Sequence, residues 1–240
     1  WWARHPDTLP TEDFQDLVEQ RVLDAVEAAW TGRRPAGIAN ALDFARVGHC
    51  RRAVYADGTA EMYGDTGRDD FMGMEGGEDS GVDLLFFFNT QGVPTGVIVN
   101  VACPSQIMEA TYEVSSDFMG ALREKLKTEY GADFMMLSQI SAAGCQSPRD
   151  LSRGYRGEPD FWHADGVDVM SDRLRDAVRR AYPRARDTIV YGAGLSRESR
   201  TLALPRRRAS YEEYVAAKAD IARRVAKQDV ETAYADFCRE

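Results

Sequence analysis

The chain reads as an α/β protein built on a mixed sheet, with a β-strand, helix, β-strand crossover and further helices flanking the sheet. Three observations predict this. Short, nearly continuous apolar runs at 82–88 and 95–101 have the length and residue types of strands. Between the second run and the strand-like stretch 133–137, Phe118, Leu122 and Leu126 recur at helical spacing, the arrangement of a crossover. Two more helical stripes, at 11–30 and 162–182, supply covering layers. With 240 residues, 44% of them hydrophobic, the material suffices for one α/β domain over 1–240.

Taken in order, residues 11–30 place Phe14, Leu17, Val18, Val22, Val26 and Trp30 on one helical stripe, with Thr11 as N-cap, Glu12 and Asp13 at the positive end, and Gly32 and Pro35 beyond the last turn. Residues 38–47 read as a strand. Residues 53–56 and 59–63 flank Asp57-Gly58, the signal of a type I′ hairpin, because both residues tolerate positive φ. The polar, glycine-rich stretch 64–81 has no periodicity and reads as a long loop. The run 82–88 is too continuously apolar for a one-faced strand, which predicts a central strand buried on both sides, with 95–101 as its antiparallel neighbour. Ser115 or Ser116 caps a helix to about Tyr130, which Gly131 stops. The stripe through Val167, Met170, Leu174, Val178 and Ala181 is a helix that Pro183 should end. Residues 188–191 and 201–204 are short strand candidates. Ser210-Tyr-Glu-Glu213 is a capping box opening a helix through Tyr214, Ile221, Val225 and Phe237.

Charge and composition exclude several functions. The formal net charge of −9 argues against a nucleic-acid binder, and the basic run at 206–208 reads as a solvated edge. No run approaches the roughly 18 apolar residues of a membrane span. A soluble protein is expected, cytoplasmic in preference to secreted. The cysteines Cys50, Cys103, Cys145 and Cys238 lack a CxxC spacing, so a zinc finger or thioredoxin-like motif is not expected. The chain opens on Trp1-Trp2 rather than Met, which reads as the interior of a longer protein.

The crossover directs attention to two loops. Parallel strands joined this way end on the same side, so loops 102–116 and 138–150 should emerge together, where α/β proteins place ligands. The first opens Ala-Cys-Pro-Ser-Gln, stiffened by proline. The second runs Ser-Ala-Ala-Gly-Cys-Gln-Ser-Pro-Arg-Asp at 141–150, small residues that let backbone N–H groups approach a ligand. The same smallness also suits a tight turn after a buried strand.

These stretches carry a resemblance. Val-Asn-Val-Ala-Cys-Pro-Ser-Gln at 99–106, Ser-Ser-Asp-Phe-Met-Gly at 115–120 and Ser-Ala-Ala-Gly-Cys-Gln-Ser-Pro at 141–148 are similar to the neutral/alkaline, non-lysosomal ceramidase superfamily and its bacterial relatives. Gly-His-Cys-Arg-Arg at 48–52, residues 71–79 and Leu-Pro-Arg at 204–206 add support. The resemblance implies a ceramidase-like catalytic domain, a zinc-activated attack on an amide, and a central serine at Ser141 framed by Gly144 and Pro148. The chain departs from that pattern at three positions. Pro104 stands where the family has a zinc-binding histidine, Cys145 where it has an acid, and Cys50 where relatives carry Asn. The family's closely spaced histidines would lie before Trp1, so zinc is expected only if ligands come from sequence outside this chain.

The candidate catalytic residues are Ser141 as nucleophile, with His49 and Asp117 as the partners able to activate it. Each has a structural alternative: His49 as a hydrogen-bonded structural histidine, Asp117 as the acid at a helix start. The candidate substrate-binding residues are Arg51, Arg52, Gln106, Gly144, Cys145, Gln146 and Arg149, the arginines suited to an anionic or hydroxyl-rich substrate. His5 and His163 have no constellation around them. Glu75, Glu78 and Asp79 offer oxygen ligands for a divalent cation or a solvated acidic loop. Exposed aliphatic stripes of the kind a ceramide chain needs are lacking, so the expected function is a ceramidase-like hydrolase acting on an amide or sugar-derived bond of a polar, carbohydrate-derived substrate. The alternative is a non-catalytic member that binds a polar ligand through the same loops.

Overall fold

Alternation of apolar positions decides how the sheet is covered. The computed structural model describes residues 10–111, 113–206 and 208–227, which divide into two compact units, Trp1–Ala36 and Gly37–Glu240. The first unit holds one helix, α1 (Thr11–Thr31), none of whose residues is buried. The second contains strands β1 (Gly37–Phe44), β2 (His49–Cys50), β3 (Arg52–Tyr55), β4 (Ala60–Met62), β5 (Phe71–Met74), β6 (Gly81–Phe88) and β7 (Pro94–Val101). Helix α2 (Asp117–Tyr130), strands β8 (Met135–Ile140) and β9 (Gln146–Ser147), helices α3 (Leu151–Gly154) and α4 (Ala164–Asp187), strand β10 (Val190–Tyr191) and helix α5 (Tyr211–Lys227) follow. The main sheet has the order β10-β1-β6-β7-β8, antiparallel except for the parallel pair β7–β8 that α2 joins. Two small sheets, β2-β9 and β4-β3-β5, complete the set. The result is the mixed sheet with a βαβ crossover and flanking helices that the sequence predicts.

The core lies between one face of the main sheet and helices α2 and α4. Val82, Leu84, Phe86 and Phe88 of β6, with Val97, Val99 and Val101 of β7, meet Phe118, Leu122 and Leu126 of α2 and Met170, Leu174 and Val178 of α4. Burying a side chain of this size stabilises the fold by about 1.5–3 kcal/mol. Tyr182 links the layers, its ring 6.1 Å from that of Phe86 and 5.5 Å from that of Tyr130. Asp43, on the same face of β1, is held ionised. Burial alone would raise its pKa, but the Phe44 N–H and the Arg180 and Arg184 guanidinium groups lower it. On the opposite face, among the described residues of this unit, Met135 is 69% and Leu137 57% exposed.

Several local expectations change. β6 is central but buried on one face only, because both helices lie on that side; Asp83 is exposed and Leu85 and Phe87 are half-buried. At Asp57-Gly58 only Gly58 takes positive φ, at 83°. Its N–H donates to the Tyr55 carbonyl, and the Asp57 carboxylate accepts from Thr59 N–H and Oγ1. The connection is therefore a longer loop with a left-handed glycine rather than a type I′ turn. The stretch 64–81 contains β5, whose four residues include Gly73 and show no alternation to read. Helix α4 runs four residues past Pro183, because Ala185 packs into the core and Arg184 reaches the Leu42 carbonyl. Residues 201–204 form no strand. The capping box is present, Ser210 N–H donating to Glu213 and Glu213 N–H to Ser210 Oγ. Phe237, His5 and Cys238 lie outside the described residues.

Candidate functional site

Parallel pairing brings the carboxyl ends of β7 and β8 together, Val101 opposite Ile140, and Ser141 N–H closes the turn on the Val101 carbonyl at 3.1 Å. The segment after β1 runs between the two loops that follow. Cys103 Sγ donates to the Val47 carbonyl, and Gly48 lies so close to Ala102 that a Cβ there would stand 2.4 Å from its oxygen. A glycine is required at that crossing. Immediately beyond it, His49 and Cys50 pair with Ser147 and Gln146 in the β2-β9 ladder. Arg51 N–H donates to Cys145 O, and its guanidinium donates to Gly144 O at 2.8 Å. Three chain segments thus meet at the carboxyl end of the parallel pair.

Among the buried polar groups there is His49. It is 4% exposed, and neither ring nitrogen has a hydrogen-bond partner among the described residues. Its Nε2 faces Asp150 Oδ2 at 3.7 Å, beyond hydrogen-bond length. Burial holds the imidazole below its ordinary pKa, and Asp150 opposes this; Arg46 and Arg173 push it down further, while Glu78 pulls it up. The Phe161 ring stacks on it at 6.1 Å. Asp150 is fixed by its other oxygen, which accepts from Ser152 N–H and Oγ as the cap of α3, leaving Oδ2 for His49 and for Arg46 at 3.8 Å. Between these groups lies a cavity of about 180 Å³ walled by Met74 and Leu151 and roofed by Gly76, Gly77 and Glu78. The roof is pinned by an Arg46–Glu78 ion pair at 2.9 Å, an Arg52–Glu75 pair at 2.6 Å, and a hydrogen bond from Gln146 Nε2 to Gly77 O.

The three residues expected to share catalysis occupy different places. His49 lines the cavity just described. Asp117 borders a second hollow with Ser105, Glu109 and Thr111. Its carboxylate accepts from the N–H groups of Met108 and Phe118, so its structural role at the start of α2 is filled. Beside it, burial raises the pKa of Glu109, against the pull of Arg51. Ser141 is half-buried and lines neither hollow. Among the substrate-binding candidates, Arg51 and Gly144 join each other, Arg52 is paired with Glu75, and Arg149 donates to Asp160 at 2.7 Å. Cys145 is exposed, accepting from Gln146 Nε2, while the side-chain oxygens of Gln106 and Gln146 are buried without a partner among the described residues. Cys103 is buried and its thiol pKa pushed well up.

Sequence reasoning passed over Asp150, Arg46 and Ser147, and weighed Glu78 only as a cation ligand or part of a solvated loop. Asp150 was legible as a helix cap, from Asp-Leu-Ser, though not as a neighbour of His49. Ser147 is fully buried and sits opposite His49 in the ladder. No local signal announces a two-residue pairing between segments so far apart. Among the described residues no group of three or more His, Cys, Asp or Glu is arranged to hold a metal. Glu75 and Glu78 are engaged by arginines. The described residues do not assemble a zinc site.

Comparison with protein families and with curated sequences finds no match. Among solved structures, the neutral ceramidase from Pseudomonas aeruginosa aligns with a TM-score of 0.54 at 17% identity, over 76% of this chain and 28% of that one. A ceramidase complexed with C2 aligns equally, at 16% identity, over 76% of this chain and 27% of its own. This chain therefore spans less than a third of the structures it matches. The fold, with its one-sided mixed sheet and crossover, is distantly similar to that of neutral ceramidases.

Proposed function

We propose that this chain forms part of a ceramidase-like hydrolase that cleaves an amide or sugar-derived bond in a polar substrate, with His49 as its acid–base group. The observation that carries the reading is the buried imidazole beside a carboxylate, with neither ring nitrogen partnered among the described residues, next to a cavity at the carboxyl end of the parallel strands. Groups of this kind concentrate where proton transfer is needed. Neutral His49 accepts a proton from the attacking hydroxyl, and Asp150 stabilises the imidazolium that forms. Their 3.7 Å separation is one that substrate binding can tighten. Ser141, the hydroxyl that the resemblance nominates, lines neither hollow, so the attacking hydroxyl that His49 serves is that of a water, and Arg51 with Arg149 orients the substrate. Support for hydrolysis comes from the distant fold likeness. The test is turnover by the purified protein on N-acyl amines and sugar conjugates. His49→Gln is expected to lower kcat by about 10²–10⁴-fold. Turnover that survives His49→Gln overturns the assignment.

The second reading, a non-catalytic module that binds a polar ligand, is favoured by one observation: the Asp117 carboxylate is taken up by the backbone N–H groups of Met108 and Phe118. It expects ligand binding without turnover, unaffected by Ser141→Ala.

A further inference from the structure

We propose that a second copy of this chain docks on the sheet face opposite helices α2 and α4, the two sheets packing face to face about a two-fold axis that runs along the strands between β6 and β7. The register of β1, β6, β7 and β8 arranges that face in rows. One row is polar, with Asp83, Asn100 and Gln139 side by side. The next is apolar, with Leu85, Ile98 and Leu137, and the third carries Ile38, Phe87 and Met135. Strands about 4.8 Å apart, with same-face residues about 6.8 Å apart along each, make a patch of roughly 19 by 20 Å. Two such patches together offer about 800 Å² of flat area, close to the roughly 1,000 Å² at which specific interfaces begin. That size fits a dimer that forms and dissociates with concentration.

The polar row selects the occupant. Asp83, Asn100 and Gln139 are register neighbours, yet no hydrogen bond joins them among the described residues, and Asn100 Oδ1 is buried without a partner there. A lipid surface or an apolar helix laid on this face would seal the Asp83 carboxylate from water with nothing to pair it, which is costly. A second copy avoids that cost. An axis along the strands, at the centre of the four long ones, sets β6 of each copy over β7 of the other and β1 over β8. Asp83 then faces the partner's Asn100, whose amide N–H donates to its carboxylate, and symmetry supplies the bond twice. Leu85 faces the partner's Ile98, Ile38 faces the partner's Met135, and Phe87 faces the partner's Gly96, which has no side chain to obstruct it. The two Asp83 carboxylates stay on opposite sides of the axis. An axis across the strands would instead set the polar row against Ile38, Phe87 and Met135, leaving Asp83 unpaired. Sheets packed about 10 Å apart and rotated by roughly 30° keep the central pairs within reach.

Sedimentation equilibrium of the whole chain is expected to show a reversible monomer–dimer equilibrium with a Kd on the order of 10 µM. Met135→Lys, at a side chain that is 69% exposed in the single copy, should weaken the dimer about tenfold or more. Asn100→Asp, which sets acid against acid, should do the same, whereas Asn100→Lys, which sets a cation against the partner's Asp83, should hold or tighten it. Val114→Lys, fully exposed and outside the sheet, should leave the Kd unchanged, and circular dichroism verifies the fold of each variant. A chain that stays monomeric at about twenty times that Kd overturns the proposal, whether the face then takes up phosphatidylcholine vesicles or nothing. A dimer indifferent to Met135→Lys forms elsewhere and overturns it too. Equal weakening by Asn100→Asp and Asn100→Lys overturns the paired arrangement. Should both Asn100 variants fail to fold, Met135→Lys still decides.

Discussion

His49 is buried in its neutral form, and this sets how the protein responds to acid. Near pH 8 the imidazole is neutral whether the chain is folded or unfolded. As pH falls through 6.5, the unfolded ring takes up a proton while burial holds the folded ring's pKa lower, so unfolding binds a proton and stability falls. The thermal midpoint is expected to drop from about pH 7 toward pH 5, and His49→Gln to flatten that slope as followed by circular dichroism. A slope unchanged in the variant would assign the effect to other groups. At this scale the sequence supplied residue types but not company. His49 and Arg51 were recognisable as chemistry-bearing. Asp150 was not, because its approach to His49 depends on β2 meeting β9, a two-residue ladder with no periodicity of its own.

Elements were more legible where burial has a period. α2, with Phe118, Leu122 and Leu126 every four residues and a glycine stop, matches its expected limits closely, as does α1. β6 shows the converse. Its apolar run conceals the fact that only alternate residues face helices, and hydrophobic side chains on the other face blur the signal. Pro183 misleads for a related reason, since tertiary contacts at Ala185 and Arg184 outweigh the lost hydrogen bond. The crossing of the β1–β2 connection over the loop after β7 depends on Gly48. Gly48→Ala is expected to lower unfolding free energy by about 1–3 kcal/mol, measured in urea, since its Cβ would meet the backbone oxygen of Ala102 rather than a yielding side chain. Full retention of stability would mean that the loop after β7 shifts freely.

Among its described residues, the Gly37–Glu240 unit is a two-layer arrangement with one sheet face covered and one exposed. On the open face Leu42, Phe44, Met135 and Leu137 are exposed around a row formed by Asp83, Asn100 and Gln139, which are register partners across β6, β7 and β8. In solutions too dilute for dimers, Leu137→Lys is therefore expected to change unfolding free energy by less than about 0.5 kcal/mol while lowering the binding of a hydrophobic fluorescent dye. A large loss of stability would show that this face is packed even in the monomer. Fold class was readable at this scale because alternating strand and helix patterns have few solutions. The open face was not, since an exposed leucine and a buried one look alike in a sequence.

The order of the sheet also sets a timetable. β6 and β7 are joined by a short turn at Asn89–Gly92 and can zip locally. β8 must wait for α2, and Gly37 finds Tyr191 only after nearly the whole unit has collapsed. Pairing between strands so distant in sequence is expected to make folding slow, on a scale of milliseconds to seconds rather than microseconds. Until then the apolar strands stand bare, and a ribosome-bound or freshly diluted chain is at its most aggregation-prone.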